Sequence, residues 1–120
     1  MSRERRLLGQ AGEALAAETL QQQGYRILRR NYRTPFGEID LVARHDDTLV
    51  FVEVKLRRSD TFGPPQAAVN AAKQRHLKLA AQYYLNQQRC PDIKIRFDVV
   101  AITMAGGRPR IEIFDGAIEA

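Results

Sequence analysis

Two segments decide the fold of this chain, GEIDLV at 37–42 and VFVEVK at 50–55. Each is rich in β-branched and aliphatic residues and interrupted by charge, which is typical of a strand. Because side chains alternate between the two faces of a strand, we expect Asp40 to face away from its apolar neighbours, and Glu53 and Lys55 to do the same on the second strand. A short turn between the strands can bring Asp40 beside Glu53.

The same alternation divides the residues of the first strand between two faces. It predicts that Ile39 and Leu41 share one face. Glu38 and Asp40 then share the other face, where Glu38 is a supporting residue that can hold Lys55 or an arginine.

The rest of the chain supplies two helices and further strands, in the order αβββαββ. Periodicity and turn residues predict helices at Glu4–Gln23 and Pro65–Gln88 and strands at Tyr25–Arg33, Gly37–Ala43, Thr48–Leu56, Ile93–Thr103 and Pro109–Phe114. Strands flanked by two helices form one α/β unit, with a central mixed sheet. A length of 120 residues fits one domain over 1–120.

Composition favours a polyanionic partner. Nineteen Lys and Arg face fourteen Asp and Glu, a formal net charge of +5. Such a balance fits nucleic acid or an anionic membrane surface. An ordinary protein that is merely basic fits the charge equally well.

The single cysteine, Cys90, excludes an internal disulfide and a cysteine-based metal cluster. No segment approaches the roughly 20 apolar residues of a membrane helix, and no apolar segment of signal-peptide length follows the charged N-terminus. We therefore expect a cytoplasmic protein with no membrane partner.

Adjacent carboxylates at Asp40 and Glu53 would repel each other unless a cation lay between them. Oxygen ligands suit Mg²⁺ or Mn²⁺. Such an ion activates water and stabilises charge on a phosphate, and Lys55 would place an ammonium group beside it. The alternative is a solvated strand face on which Glu53 and Lys55 form an ordinary ion pair. The segment Leu49–Leu56 is otherwise nearly all apolar, which argues for a strand covered on both sides, where charges need partners.

Asp40 followed by Glu53-Val54-Lys55 resembles the motif of the PD-(D/E)XK nuclease superfamily, with Ile39 where that motif has proline. Over roughly Leu8–Ile102 the chain resembles the YraN family, which is similar to archaeal Holliday-junction resolvases. The motifs that carry the resemblance are Gly12-Glu13, Asn31-Tyr32-Arg33, Gly37-Glu38-Ile39-Asp40, Phe51-Val52-Glu53-Val54-Lys55-Leu56-Arg57, Phe62-Gly63, Lys73 and Arg96-Phe97-Asp98-Val99-Val100.

The resemblance implies a restriction-endonuclease-like fold and a set of residue roles. Glu13, Asp40 and Glu53 would hold the metal ion, and Lys55 would be the catalytic lysine beside Asp40 and Glu53. The implied reaction is phosphodiester hydrolysis in structured or branched DNA during repair or recombination. By analogy with a two-fold junction, two copies would form a homodimer.

Basic residues outside this site are candidates for sequence-nonspecific, salt-sensitive contacts with the DNA backbone. They are Arg29, Arg30, Arg33, Arg57, Arg58 and Lys73. For Lys73, on the second predicted helix, a solvated basic face is the alternative.

Three hypotheses of function remain open at this point. The leading one is a Mg²⁺- or Mn²⁺-dependent endonuclease. The second is a nucleic-acid-binding module that retains the fold without catalysis, and it predicts salt-dependent DNA binding with no cleavage. The third is a protein-interaction module in which the acidic site is structural, and it predicts no affinity for nucleic acid beyond general attraction.

Overall fold

The computed structural model of the chain describes residues 3–58, 69–89 and 92–119. Its elements are α1 (Arg3–Gln22), β1 (Arg26–Thr34), β2 (Gly37–His45), β3 (Thr48–Arg58), α2 (Ala71–Gln88), β4 (Lys94–Ala105) and β5 (Arg108–Ile118). The predicted α/β class and the order αβββαββ are therefore confirmed.

The five strands form one mixed sheet in the order β1-β2-β3-β4-β5. Three of the neighbouring pairs are antiparallel, and β3 and β4 are parallel. A parallel pair needs a crossover connection, and α2 lies in that connection. Neither helix among the described residues has the length and apolar character needed to cross a bilayer.

The sheet is covered on both faces by helices, which makes a three-layer domain. On one face, Ala16, Ala17 and Leu20 of α1 pack in a core cluster with residues such as Val50 and Val52 of β3. On the other face, residues of α2 pack against Phe51, Phe97 and their neighbours; these α2 residues are Leu77, Ala80, Ala81 and Tyr84. The apolar segment in β3 is thus buried from both sides, as its composition predicts.

The second helix begins later than the sequence predicts. Val69 and Asn70 are not helical, and α2 starts at Ala71 because the Asn70 side chain accepts a 2.9 Å hydrogen bond from the Lys73 backbone N–H. The predicted start at Pro65 and the predicted loop at Ser59–Pro65 lie outside the described residues.

The last strand extends further than the predicted Pro109–Phe114. It continues to Ile118, which pairs with Phe97 across a register shift and is 3% exposed. Burial of that side chain holds the chain on the sheet past Gly116, whose φ of 63° interrupts the strand pattern from which the end was predicted.

The predicted shared face for Ile39 and Leu41 is wrong. Ile39 packs in the α2-side core, whereas Leu41 packs in the α1-side core. The ladder between β1 and β2 skips Asn31 and Asp40, which lie between two consecutive pairs of the register. Asn31 has a left-handed φ of 52°. The strands change face at this point, so the side chain of Asp40 does not follow simple alternation.

Candidate metal centre between strands β2 and β3

The candidate site lies where β2 and β3 separate. Their ladder ends at the pair Leu41–Val52. Beyond it, residues 37–39 of β2 pair only with β1, and residues 53–58 of β3 pair only with β4. The sheet therefore opens directly beyond the Leu41–Val52 pair. Asp40 and Glu53 are the next residues on their strands, and both acids lie at the mouth of this opening.

Asp40 is anchored at the opening by the backbone of β3. Its Oδ2 accepts a 2.8 Å hydrogen bond from the Val54 N–H. Burial raises the pKa of the Asp40 carboxyl, while the bond from Val54 and the charge of Lys73 act in the opposite direction. The carboxylate of Asp40 thus has a fixed position, and burial still destabilises its charged form.

Three carboxylates from two elements converge at this point. Oxygens of Glu13 on α1 and of Glu38 and Asp40 on β2 all lie within 4.8 Å of one another. Glu13 reaches the cluster because α1 approaches the sheet closely at Gly12, where an added Cβ would be 3.1 Å from Cδ2 of Leu56.

The surroundings of Glu13 destabilise the charged form of its carboxyl group. Burial is the largest cause that raises the pKa of its carboxyl to about 7, followed by the negative charges of Asp40 and Glu38. A hydrogen bond with Asn31 acts in the opposite direction. Without a cation, the cluster therefore binds protons near neutral pH.

Glu53 is the most deeply buried acid of the group, with 6% of its surface exposed. Its Oε1 lies 3.6 Å from Nζ of Lys73, whereas its buried Oε2 accepts no hydrogen bond from any residue that the structure describes. Burial, and then the charge of Asp40, raise the pKa of Glu53 to about 7, against the opposing effects of Lys73 and Lys55.

This donor set fits a hard divalent cation. Adjacent ligand oxygens around an octahedral Mg²⁺ are about 3 Å apart and opposite ones about 4 Å, a spacing close to that of the three carboxylates. The buried Oε2 of Glu53, which has no hydrogen-bond partner in the described part of the chain, would gain one from such a cation. Glu13, Glu38, Asp40 and Glu53 are the residues that could hold it.

A phosphate contact near the site was predicted for Lys73, but its ion pair with Glu53 was not. The structure places the ammonium group of this residue against Glu53. Lys55, two residues along β3 from Glu53, also lies close enough to stabilise the charge of that carboxylate. Two lysines therefore reach the site from different elements, one from the sheet and one from α2.

The arginines proposed for DNA contacts do not form one surface. Arg29 pairs with Val42 of the α2-side core and Arg30 with Leu41 of the α1-side core, so the two arginines face opposite sides of the sheet. Arg33 is highly exposed and lies 3.6 Å from Glu38. Arg57 is half-buried, and the side chain of Arg58 lies outside the described residues.

A second polar cluster lies at the opposite end of β2. The ring of His45 stacks on Tyr25 at 4.1 Å, and Arg96 pairs with fully buried Asp98 at 2.8 Å. Tyr25 donates a hydrogen bond to Asp98, and so does the N–H of Gly116. This cluster ties Tyr25, the residue before β1, to β2, β4 and β5, and its acid is fully partnered, in contrast to Glu53.

The fold and the site together define an α/β protein whose sheet opens onto a group of partly buried carboxylates flanked by two lysines. The model of an uncharacterised protein family, UPF0102, matches residues 12–102, which include Glu13, Glu38, Asp40, Glu53 and Lys73. The chain belongs to this family, which confirms the resemblance to YraN proteins.

Close relatives cover nearly the whole chain. A UPF0102 protein of Syntrophotalea carbinolica is 50% identical over 119 residues, covering 99% of this chain and 97% of the relative. Another, of Geobacter metallireducens, is 49% identical over 119 residues, covering 99% and 98%. A third, of Syntrophus aciditrophicus, is 49% identical over 111 residues, covering 92% and 87%.

Proposed function

We propose that this protein is a Mg²⁺- or Mn²⁺-dependent endonuclease that hydrolyses phosphodiester bonds in structured or branched DNA. The observation that carries the proposal is the group of carboxylates at the opening between β2 and β3. It combines three oxygens within 4.8 Å of one another with a nearby buried glutamate, Glu53, whose Oε2 has no hydrogen-bond partner among residues 3–58, 69–89 and 92–119. Such a group is unfavourable by itself and becomes favourable when it binds a divalent cation.

Glu13, Asp40 and Glu53 would bind the metal ion, with Glu38 as a further ligand or as the partner that keeps Arg33 near the site. When bound, Mg²⁺ or Mn²⁺ supplies Lewis-acid stabilisation of the charge that develops on the phosphate. The Val54 N–H holds Asp40 in place throughout, since a backbone donor does not change rotamer.

Lys55 would orient the attacking water or donate a hydrogen bond to a phosphate oxygen. In the reaction, the water oxygen forms a bond to phosphorus, one P–O ester bond breaks, the water loses a proton and the leaving oxygen gains one. Lys73 would exchange its contact with Glu53 for a contact with the phosphate when DNA binds. The net charge of +5 favours the approach of the DNA backbone.

The ion pair between Lys73 and Glu53 supports a second candidate. A lysine that already neutralises the buried acid lets the fold persist without a metal ion. On this basis the protein would be a nucleic-acid-binding module without catalytic activity, in which the role of the carboxylates is only structural.

A cleavage assay separates the two candidates. The purified protein is incubated with a labelled four-way junction, a flap, a duplex and a single strand, in Mg²⁺ and in Mn²⁺. The variants Glu53→Gln and Lys55→Ala are compared with Glu18→Gln, which alters an exposed glutamate on α1. We expect cleavage of the branched substrates by the wild type and by Glu18→Gln, and its loss in the two site variants.

Two results would count against the nuclease. Binding without cleavage in every metal would favour the binding module. Cleavage that survives equally in Glu53→Gln and Lys55→Ala would show that the activity comes from a different site or from a contaminant.

A further inference from the structure

Phe36 is an exposed aromatic residue next to the carboxylate cluster of Glu13, Glu38 and Asp40. It lies in the turn between β1 and β2 and is 43% exposed. The turn is held by Thr34, whose Oγ1 accepts a 3.0 Å hydrogen bond from the Phe36 N–H and donates one of 2.7 Å to the Gly37 carbonyl. The backbone of the turn is therefore fixed, while the ring of Phe36 meets solvent.

The ring borders a small pocket that shares its walls with the candidate metal centre. The pocket has a volume of about 70 Å³ and is lined by Phe36, Gly37, Glu38, Lys73, His76 and Leu77. Glu38 belongs to the carboxylate cluster, and Lys73 contacts Glu53. Anything that lies on Phe36 is thus next to the proposed reaction centre.

The chemistry of the lining indicates the ligand. Phe36 and Leu77 offer an apolar surface, and Lys73 and His76 on α2 offer hydrogen-bond donors on one side of it. An aromatic platform beside cationic donors matches a nucleotide, whose base stacks and whose phosphate accepts hydrogen bonds. The volume is too small to enclose a base, so the base would lie on the ring, with one face open.

We propose that Phe36 stacks against the base of an unpaired nucleotide adjacent to the scissile phosphate, and that Lys73 and His76 contact that nucleotide's own phosphate. This proposal rests on the proposed nuclease function and specifies its substrate. A base within a continuous duplex has both faces covered by its neighbours, so only an unpaired or displaced nucleotide can use this platform. The protein would therefore select DNA with a single-stranded segment at the branch point over perfect duplex.

The test uses the full chain and a flap whose first unpaired nucleotide is 2-aminopurine, together with a matched duplex without a flap. Binding is followed by the change in 2-aminopurine fluorescence and by anisotropy in Ca²⁺, and cleavage is followed in Mn²⁺. Phe36→Ala is compared with Phe36→Trp, which keeps an aromatic face, and with Leu79→Ala, which removes an equally exposed apolar side chain on α2.

We expect Phe36→Ala to weaken binding of the flap about tenfold and to abolish the fluorescence change, with duplex affinity unaltered. Phe36→Trp and Leu79→Ala should behave as the wild type. If the wild type cuts the flap and Phe36→Ala matches Leu79→Ala in every measurement, the stacking proposal is overturned while the nuclease stands. Flap binding that depends on Phe36 but gives no cleavage supports the stacking and overturns the nuclease. A wild type that neither binds nor cuts any substrate overturns both.

Discussion

The Oδ2 atom of Asp40 accepts a 2.8 Å hydrogen bond from the backbone N–H of Val54. One side chain of β2 thereby takes the place of a ladder bond at the point where the backbones of β2 and β3 no longer pair. The bond satisfies the Val54 N–H at the mouth of the opening and fixes the carboxylate beside Glu13 and Glu53. Structure and site chemistry therefore depend on the same acid.

Asp40→Asn and Asp40→Ala should separate these two contributions. The Asn side chain keeps an oxygen that can accept the bond from Val54, so we expect a change in the free energy of unfolding within about 1 kcal/mol. Asp40→Ala leaves the part-buried N–H without its acceptor and should cost about 1–3 kcal/mol. Both variants lose a ligand charge, and both should bind Mn²⁺ at least tenfold more weakly. Urea unfolding and calorimetric titration measure the two quantities.

Equal stability of Asp40→Asn and Asp40→Ala would contradict a structural contribution from this hydrogen bond. Asp47→Asn provides a control, because Asp47 is an exposed residue of the β2–β3 turn and its ion pair with Lys94 is remote from Glu53 in the ladder. Its Mn²⁺ affinity should equal that of the wild type.

The proximity of the central pair of acids could be predicted only in part from local rules. A short turn at Asp46-Asp47 can bring Asp40 beside Glu53, but the sequence leaves the register open, and alternation does not give the face on which Asp40 lies. The left-handed backbone of Asn31 could not be predicted in this way, since asparagine adopts this conformation only at some positions. It coincides with the change of face that made the expectation for Ile39 wrong.

The contact between Lys73 and Glu53 could not be predicted from local sequence rules, for a different reason. The two residues are joined through the connection that carries the chain from β3 to β4, and their distance depends on where α2 begins and how it packs on the sheet. A prediction that starts the second helix at Pro65 gives no information on which side chain of its first turn contacts the sheet. The Asn70 cap, three residues before Lys73, is the signal that could have located that turn.

Metal-free protein should lose stability as the pH rises from 5 to 8. The fold raises the pKa of both Glu13 and Glu53 from 4.5 to about 7. The folded state therefore retains protons that the unfolded chain has released, a stabilisation that is complete below pH 4.5 and lost as the pH passes 7. We expect a loss of roughly 2 kcal/mol, allowing for solvent screening, in urea unfolding with EDTA present.

The double variant Glu13→Gln/Glu53→Gln is the control for this pH dependence, since neither amide titrates. Its stability should change less over the same range and exceed that of the wild type at pH 8. Mn²⁺ should bind the wild type more tightly as the pH rises through 7, because the cation displaces these protons. A wild-type curve that runs parallel to that of the double variant would exclude the two glutamates as its source.

Lys73→Met should tighten metal binding while weakening the apo fold. The ammonium group lies 3.6 Å from Oε1 of Glu53 and repels a cation at the same carboxylate. Its removal should lower the dissociation constant for Mn²⁺ about three- to tenfold and lower the apo stability at pH 8 by about 1 kcal/mol, since Glu53 loses its partner. Calorimetry of Lys73→Met and of Lys78→Met, an exposed lysine on the same helix, measures the difference. Weaker Mn²⁺ binding in Lys73→Met alone would mean that the lysine organises the site instead of competing for it.

Gly12→Val should move Glu13 away from the carboxylate cluster. A Cβ at position 12 would lie 3.1 Å from Cδ2 of Leu56 and 3.4 Å from Cδ1 of Ile102, and the two methyl groups of valine would crowd this contact further. Because α1 must retreat from the sheet, we expect a loss of about 1–3 kcal/mol in the free energy of unfolding and at least fivefold weaker Mn²⁺ binding.

Gly9→Val is the matched control for Gly12→Val. It makes the same change within α1, but a Cβ at position 9 would have no atom of the described residues within 4 Å. Helix propensity changes alike in both variants, so the difference between them isolates the close approach of α1 to Leu56. If the two variants have the same unfolding free energy and the same Mn²⁺ affinity, the glycine does not position Glu13. If only Gly12→Val loses affinity, the packing of one helix on the sheet determines whether an acid from outside the sheet can join the metal site.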